Sequence, residues 1–377
     1  MNAALPNKLQ LKLKKRFEEG KLRSLHLNKG QIDFCSNDYL GIAREIDLKK
    51  NVADDLPAEQ LNGSTGSRLI RGNSLLAERL EKWLAEFHHA DAALLFNSGY
   101  DANVGFFSSV PQRGDTILYD RFIHASVHDG IRLSHAKAYA FEHNDVADLK
   151  RLIARSEGQI YIAVESLYSM DGDTAPLTEI ATVCKESGAL LVVDEAHATG
   201  VCGEQGRGLA YGEEISSVCV ARIITFGKAI GAHGAAIIGS EGLSQFLVNY
   251  ARSFIYTTAL PPHELIRIEA AYSLMITAEV QRQQLNENIA FYRQLANAQS
   301  RFDYLSADGP IQGIIVPGNA QVKQLARHFQ EAGLDVRAIL SPTVPEGKER
   351  LRICIHSFNT PSEIKLLFDS LLNFSPE

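Results

Sequence analysis

A chain of 377 residues is long enough for two or three packed units around sizeable buried cores. Its 45% apolar and 22% charged content is that of an ordinary globular enzyme, and a net charge of −7 with a pI of 6.0 argues against nucleic acid or an anionic membrane as the main partner. Five scattered cysteines without a Cys-x-x-Cys pair, and no apolar run near the roughly 20 residues of a membrane span, exclude a disulfide framework, a zinc site of that kind and a transmembrane helix; they predict reduced thiols in a cytoplasmic protein with no metal.

Near the start, Lys8, Lys12, Lys14 and Lys15 are interleaved with leucines and no long apolar core follows. A helix is expected there, and not a signal peptide. Residues 1–45 read as this helix and a short extended piece at 32–35. A helix then starts near Ser74, with Leu76, Leu80, Trp83, Leu84 and Phe87 on one face and Glu78 and Lys82 as an i,i+4 pair on the other. Short apolar strands at 92–96, 116–119, 138–141, 160–165, 190–194, 222–226 and 235–238 alternate with helical stretches. That alternation predicts an α/β unit over 46–280, with a mostly parallel seven-stranded sheet and helices on both faces. A long helical region at 243–296 leads into a smaller α+β unit over 281–377, ordered strand, helix, strand, strand, helix. Gly333 is expected to close the helix beginning near Gln321. Thr360, Pro361, Ser362 and Glu363 form a capping box with proline in the first turn, ahead of a buried stripe of Ile364, Leu367, Phe368, Leu371 and Leu372.

Two strand ends carry the chemistry. One runs Leu190-Leu191-Val192-Val193 into Asp194-Glu195-Ala196-His197, the other Ile223-Ile224-Thr225-Phe226 into Gly227-Lys228. Ligands of open α/β sheets sit at the carboxyl ends of the strands, so an Asp, a His and a Lys are delivered to one crevice. A carboxylate placed to hold a protonated ring nitrogen and a lysine able to form a Schiff base are what pyridoxal phosphate (PLP) needs. Taken singly, each residue has a plainer reading: a solvated lysine, a salt-bridged aspartate, a structural histidine. Asn97-Ser98-Gly99-Tyr100 follows a strand and opens a helix, where backbone N–H groups bind phosphate well. His124 could stack on a ring, and Glu165 and Ser169 end another buried strand. Asp194-Glu195-Ala196-His197 also has the letters of a helicase box, but that reading needs a P-loop, and none of the Gly-Lys pairs is followed by Ser or Thr.

The order of Asn37-Asp38-Tyr39-Leu40-Gly41, Ser98-Gly99-Tyr100, His124, Ser169-Met170-Asp171-Gly172, Asp194-Glu195-Ala196-His197, Thr225-Phe226-Gly227-Lys228 and Pro342-Thr343-Val344-Pro345 resembles the α-oxoamine synthases. These are fold-type I PLP enzymes that join an amino acid to an acyl thioester. The resemblance runs from about Asn37 to the carboxyl terminus. It implies that Lys228 carries the cofactor as a Schiff base, Asp194 pairs with the ring nitrogen, His197 with the ring oxygen, and His124 stacks on the ring face. Gly99 and Tyr100 would hold the phosphate, with Ser169 and Thr225 adding contacts. Asn37 and Arg352 would grip the amino-acid carboxylate, an anion that suits an arginine fork. Thr343 would line the acyl site and Arg23 would reach the far end of the acyl chain. The resemblance also implies a homodimer in which Thr257 and Thr258 reach the partner's phosphate. Within the family the chain is most similar to the members that join L-alanine to a pimeloyl thioester, carried by CoA or acyl carrier protein. Glycine C-acetyltransferase and serine palmitoyltransferase are the sibling alternatives. The chain departs from the pattern at Leu340, an apolar residue where an arginine is expected, and in a short segment between Arg23 and Asn37.

Overall fold

A computed structural model describes residues 5–25, 27–28, 30–45, 62–305 and 307–375, so the expected boundary at residue 46 lies outside the described residues. The chain divides into two compact units. The larger holds 37–169 and 173–283; the smaller holds 1–36, 170–172 and 284–377.

The larger unit is built on seven strands: β2 (Ala92–Phe96), β3 (Thr116–Asp120), β4 (Lys137–Phe141), β5 (Ile160–Glu165), β6 (Leu190–Asp194), β7 (Cys219–Thr225) and β8 (Ala235–Gly239). Their order is β2-β8-β7-β6-β5-β3-β4, and β8 alone runs antiparallel to its neighbours. Strands buried on both faces read as near-continuous apolar runs, as β5 and β6 do, whereas the edge strand β4 is mostly exposed. In β5, Tyr161 and Ala163 join the core on one face, while Ile160, Ile162 and Val164 join the core on the other. Val192 of β6 faces the first core, and Leu191 and Val193 the second. Each such aliphatic side chain stabilises the fold by roughly 1.5–3 kcal/mol. The expected helix near Ser74 is Leu75–Phe87, and Ser74 caps it by accepting the Ala77 N–H. Its expected Glu78–Lys82 pair does not form: Glu78 accepts from Asn73, and Lys82 faces Glu86 one turn on.

The expected long helical region is broken into Glu241–Tyr250, Arg252–Ile255, Pro262–Thr277 and Glu279–Asn297. Ala251 is extended, and Pro261 and Pro262 cannot continue a helix from upstream. No helix among the described residues is long and apolar enough to cross a membrane.

In the smaller unit, β1 (Ile32–Asp33) pairs in parallel with β11 (Leu334–Asp335), and the helix Asn7–Glu18 precedes it. Four antiparallel strands follow the order β12-β13-β10-β9, from β9 (Asp303–Tyr304), β10 (Ile311–Ile315), β12 (Arg337–Ile339) and β13 (Arg350–Cys354). The helix Asn319–Glu331 ends before Gly333, whose φ of +83° is one that glycine adopts readily. The capping box at Thr360 and Glu363 is formed, and Ile364, Leu367, Phe368 and Leu371 are buried. Leu372 is exposed, one residue beyond the end of the stripe. The short segment 170–172 belongs to this unit for a physical reason: Arg350 donates to Met170 O and to Asp171 Oδ1, and Gly172 lies so close to Ile311 that a Cβ would sit 2.1 Å from its carbonyl oxygen.

Candidate active site

Five strands of the larger unit run parallel into one pocket. After β2 come Gly99, Tyr100 and Asn103; after β3, His124; at the end of β5, Glu165; at and after the end of β6, Asp194, Ala196 and His197; at and after the end of β7, Thr225 and Lys228. These residues enclose a cavity of about 160 Å³. A parallel sheet places its strand ends side by side, so residues far apart in sequence converge without any long-range device beyond strand register. Glu165 and Asp194, for instance, are register partners on β5 and β6.

The turn after β2 is shaped for an anion. Ser98 caps the helix Gly99–Ser109 by accepting the Asp101 N–H at 3.1 Å. The first-turn amides of such a helix have no acceptor within the helix and carry the positive end of its dipole. Residue 99 is glycine because the end of β7 is close: a Cβ there would lie 3.1 Å from Thr225 Cγ2.

Asp194 is buried and held by two donors. Its Oδ1 accepts the Ala196 N–H at 3.0 Å and its Oδ2 accepts Asn103 Nδ2 at 2.8 Å. The neighbouring Glu195 points to the other side of the strand, where it accepts the amides of Leu209 and Ala210; a Cβ on Gly208 would lie 1.6 Å from its Oε2. The two acids of this motif thus do different work, one in the pocket and one in the scaffold. His197 Nδ1 is 2.7 Å from the Tyr39 hydroxyl, which donates to Asn37 Oδ1 at 3.1 Å. Burial pushes the His124 imidazole below its ordinary value; nearby Asp194 opposes this and Lys228 reinforces it. Burial pushes the Glu165 carboxyl up to about 8, and the charge of Asp194 adds to that while Lys228 and the Ser169 amide pull the other way. Ser169 N–H donates to Glu165 Oε2 at 3.1 Å, and Oε1 is buried with no hydrogen-bond partner.

The remaining expected residues lie elsewhere. Thr257 Oγ1 and Thr258 O accept from Asn97 Nδ2, both at 2.9 Å, beside the turn after β2. Arg352 is half-buried on β13 of the smaller unit, with Nη1 2.9 Å from Cys354 Sγ. Thr343 is exposed in a turn of that unit, and Arg23 is exposed near its amino terminus. Sequence reasoning missed Asn103 and Tyr39 as site residues. The signal for Asn103 was available: an amide one turn inside a helix whose neighbours Ala102 and Phe106 are apolar.

The chain matches the aminotransferase class I and II family over residues 29–371. It is 39% identical to an 8-amino-7-oxononanoate synthase of Emericella nidulans, covering 92% of this chain and 89% of that one. It is 29% identical to the crystal structure of the 8-amino-7-oxononanoate synthase of Francisella tularensis, with a TM-score of 0.78 over 90% of this chain and 96% of that one. It is 25% identical to a serine palmitoyltransferase from S. paucimobilis solved with PLP and myriocin bound, with a TM-score of 0.88 over 97% of this chain and 96% of that one.

Proposed function

The chain belongs to the aminotransferase class I and II family, and within it to the α-oxoamine synthases; from that membership we propose that it performs the 8-amino-7-oxononanoate synthase reaction of biotin biosynthesis, the decarboxylative joining of L-alanine to a pimeloyl thioester. The observation that carries this reading is the convergence of Lys228, Asp194, His124 and the Gly99 helix start on one pocket.

The residues fit PLP: a helix start for its phosphate, a doubly held carboxylate for its ring N–H, and an amine for its aldehyde carbon. When bound, the cofactor supplies a cationic ring that takes up electrons from the substrate's α-carbon. Lys228 would hold it through Nζ and, once released, take the α-proton of alanine at that same nitrogen. Asp194 would keep the ring nitrogen protonated, because its two oxygens are already aimed by Ala196 and Asn103. Gly99, Tyr100 and Thr225 would grip the phosphate, with Ser169 adding a contact to the cofactor. His197, oriented by Tyr39, would address the ring oxygen, and His124 would cover the ring face. Asn37 and Arg352 are assigned to the substrate carboxylate, and Thr343 and Arg23 to the acyl chain. Leu340 leaves that acyl end with one cation fewer than expected.

A homodimer in the cytoplasm is part of the same proposal. The helix Asn7–Glu18 buries none of its own residues and leaves Leu11 66% and Phe17 71% exposed, apolar surface that suits a second copy. Thr257 and Thr258 would then serve the partner's site. None of the five cysteines is in a disulfide, in keeping with a reducing compartment.

The test is thiol release by the PLP-loaded protein, with alanine or glycine paired against pimeloyl-CoA, pimeloyl-acyl carrier protein or acetyl-CoA. Fast release with alanine and a pimeloyl thioester only is the expected result. Release with glycine and acetyl-CoA would move the chain to the glycine C-acetyltransferase reaction, and no release with any pair would overturn the reading.

A further inference from the structure

Behind the pocket, Asn103 and Ser126 connect Asp194 to His124. Asn103 lies in the helix Gly99–Ser109 and is 2% exposed; Ser126 opens the helix Ala125–Leu133 and is 0% exposed. The two helices approach closely because residue 130 is glycine, where a Cβ would lie 2.8 Å from Phe107 Cβ and 3.0 Å from Asn103 O. Asn103 Nδ2 thereby comes within 3.0 Å of Ser126 Oγ while donating to Asp194 Oδ2 at 2.8 Å. Ser126 Oγ is 2.7 Å from His124 Nδ1, and the Ser126 N–H donates to the same nitrogen at 3.3 Å.

Counting donors sets the direction of each bond. A carboxylate only accepts, so the Asn103 atom facing Asp194 is its nitrogen. The second N–H of that amide goes to Ser126 Oγ, which leaves the hydroxyl proton for His124 Nδ1. The Ser126 amide can only donate, and it addresses Nδ1 as well. Two donors aimed at Nδ1 leave no place for a proton there, so the imidazole proton resides on Nε2. Asn103 Oδ1 is buried without a hydrogen-bond partner. Leaving a buried acceptor unpaired is costly, and packing alone would not favour it. The amide gives up one bond to keep both of its N–H groups on the wall of the site.

We propose that Asn103 and Ser126 are positioning residues that hold His124 as the neutral Nε2–H tautomer and tie it to Asp194, so that His124 enters the reaction as a hydrogen-bond donor and not as a base. The role in turnover rests on the functional reading above; the tautomer does not. The charged groups acting on the ring are Asp194, which favours a second proton, and Lys228, which opposes it.

The test is nitrogen-15 NMR of the histidine-labelled full chain, PLP-loaded and cofactor-free, with His124 assigned by H124Q. Wild type should show a protonated Nε2 and a bare Nδ1 from pH 7 to 9. S126A should mix the tautomers and raise the ring's titration, and S126T should restore both. N103A should lower kcat about tenfold, less than the 10²–10⁴ of losing an acid–base group outright, with KM for the amino acid unchanged. A proton on Nδ1 in wild type, or a doubly protonated ring at pH 7.5, overturns the proposal even if a variant fails to fold. So does S126A that loses turnover with its tautomer unchanged. Failure of every substrate pair would break the functional reading and leave the tautomer measurement standing.

Discussion

His124 follows β3 and His143 follows β4, neighbouring parallel strands, yet their surroundings push them in opposite directions. Both nitrogens of His143 face carboxylates: Nδ1 lies 2.9 Å from Asp120 Oδ1 and Nε2 lies 2.8 Å from Asp173 Oδ2. Burial works against its charge, but hydrogen bonds and attraction from these two acids overcome it and raise the imidazole to about 10. Asp120 responds in kind: burial raises it, and His143 with the amides of Asn144 and Phe122 brings it below its ordinary value. His124 instead has donors on Nδ1, with one acid and one lysine acting at longer range. The difference teaches that burial alone does not decide protonation here; the kind of atom placed against each ring nitrogen does. One histidine is pushed toward its charged form between two carboxylates, and the other away from it on the wall of the pocket.

The sharpest way to break the contrast is Lys228→Ala. Its loss should lower turnover by about 10³-fold, because no other pocket residue offers an amine to hold the cofactor and take the proton. It should also raise the titration of His124, since Lys228 is one of the groups that depress it, and leave His143 where it is. Turnover near the wild-type rate would refute the assignment of Lys228.

His143→Ala tests the other pole. His143 is 18% exposed, and removing it strands two carboxylates, which should cost about 3 kcal/mol at pH 7 by thermal or urea unfolding. The sign with pH follows from a folded value above the unfolded one. The stabilisation is complete below about 6.5 and is lost as pH rises toward 10. Wild type should therefore lose more stability over that window than H143A, which keeps only the slopes of other groups such as Glu165. A parallel slope in the two proteins would show that the triad carries no charge linkage.

Much of this arrangement was legible in the sequence. Seven apolar runs marked strands, most plainly the central ones, because a strand buried on both faces leaves little freedom in composition. The convergence of Asp194, His197 and Lys228 followed from strand ends alone. What sequence did not reveal depends on neighbours distant in the chain. Asn103 meets Ser126 only because Gly130 lets two helices close up, and the break at 251 in the expected long helix has no proline or glycine to mark it. The Glu78–Lys82 pair fails because Asn73, in the loop before the helix, competes for Glu78. Local spacing names candidates; partners settle which contacts form.

Glu165→Gln carries the comparison to a carboxyl group. Glu165 is 2% exposed and is raised to about 8, first by burial and then by Asp194. The folded chain holds this proton between about 4.5 and 8 while the unfolded chain releases it, so stability is full below 4.5 and falls as pH rises through 8. Glutamine keeps the shape and cannot ionise. It should flatten that slope and make the protein about 2 kcal/mol more stable than wild type at pH 9. Equal slopes would mean that Glu165 is already ionised in the folded chain.

The smallest effect is expected from Asp173→Asn. Asp173 is 31% exposed against 0% for Asp120, so water screens its share of the His143 charge. The amide can still accept a hydrogen bond from Nε2, and the cost should be about 1 kcal/mol at pH 7. The loss of stability on the alkaline side should start from the same pH as in wild type but be smaller and finish at lower pH, because His143 keeps one carboxylate partner in place of two. Equal losses for D173N and H143A would mean that the exposed acid holds the cation as firmly as the buried one. That would leave the ring-by-ring contrast intact and remove burial from the explanation of its strength.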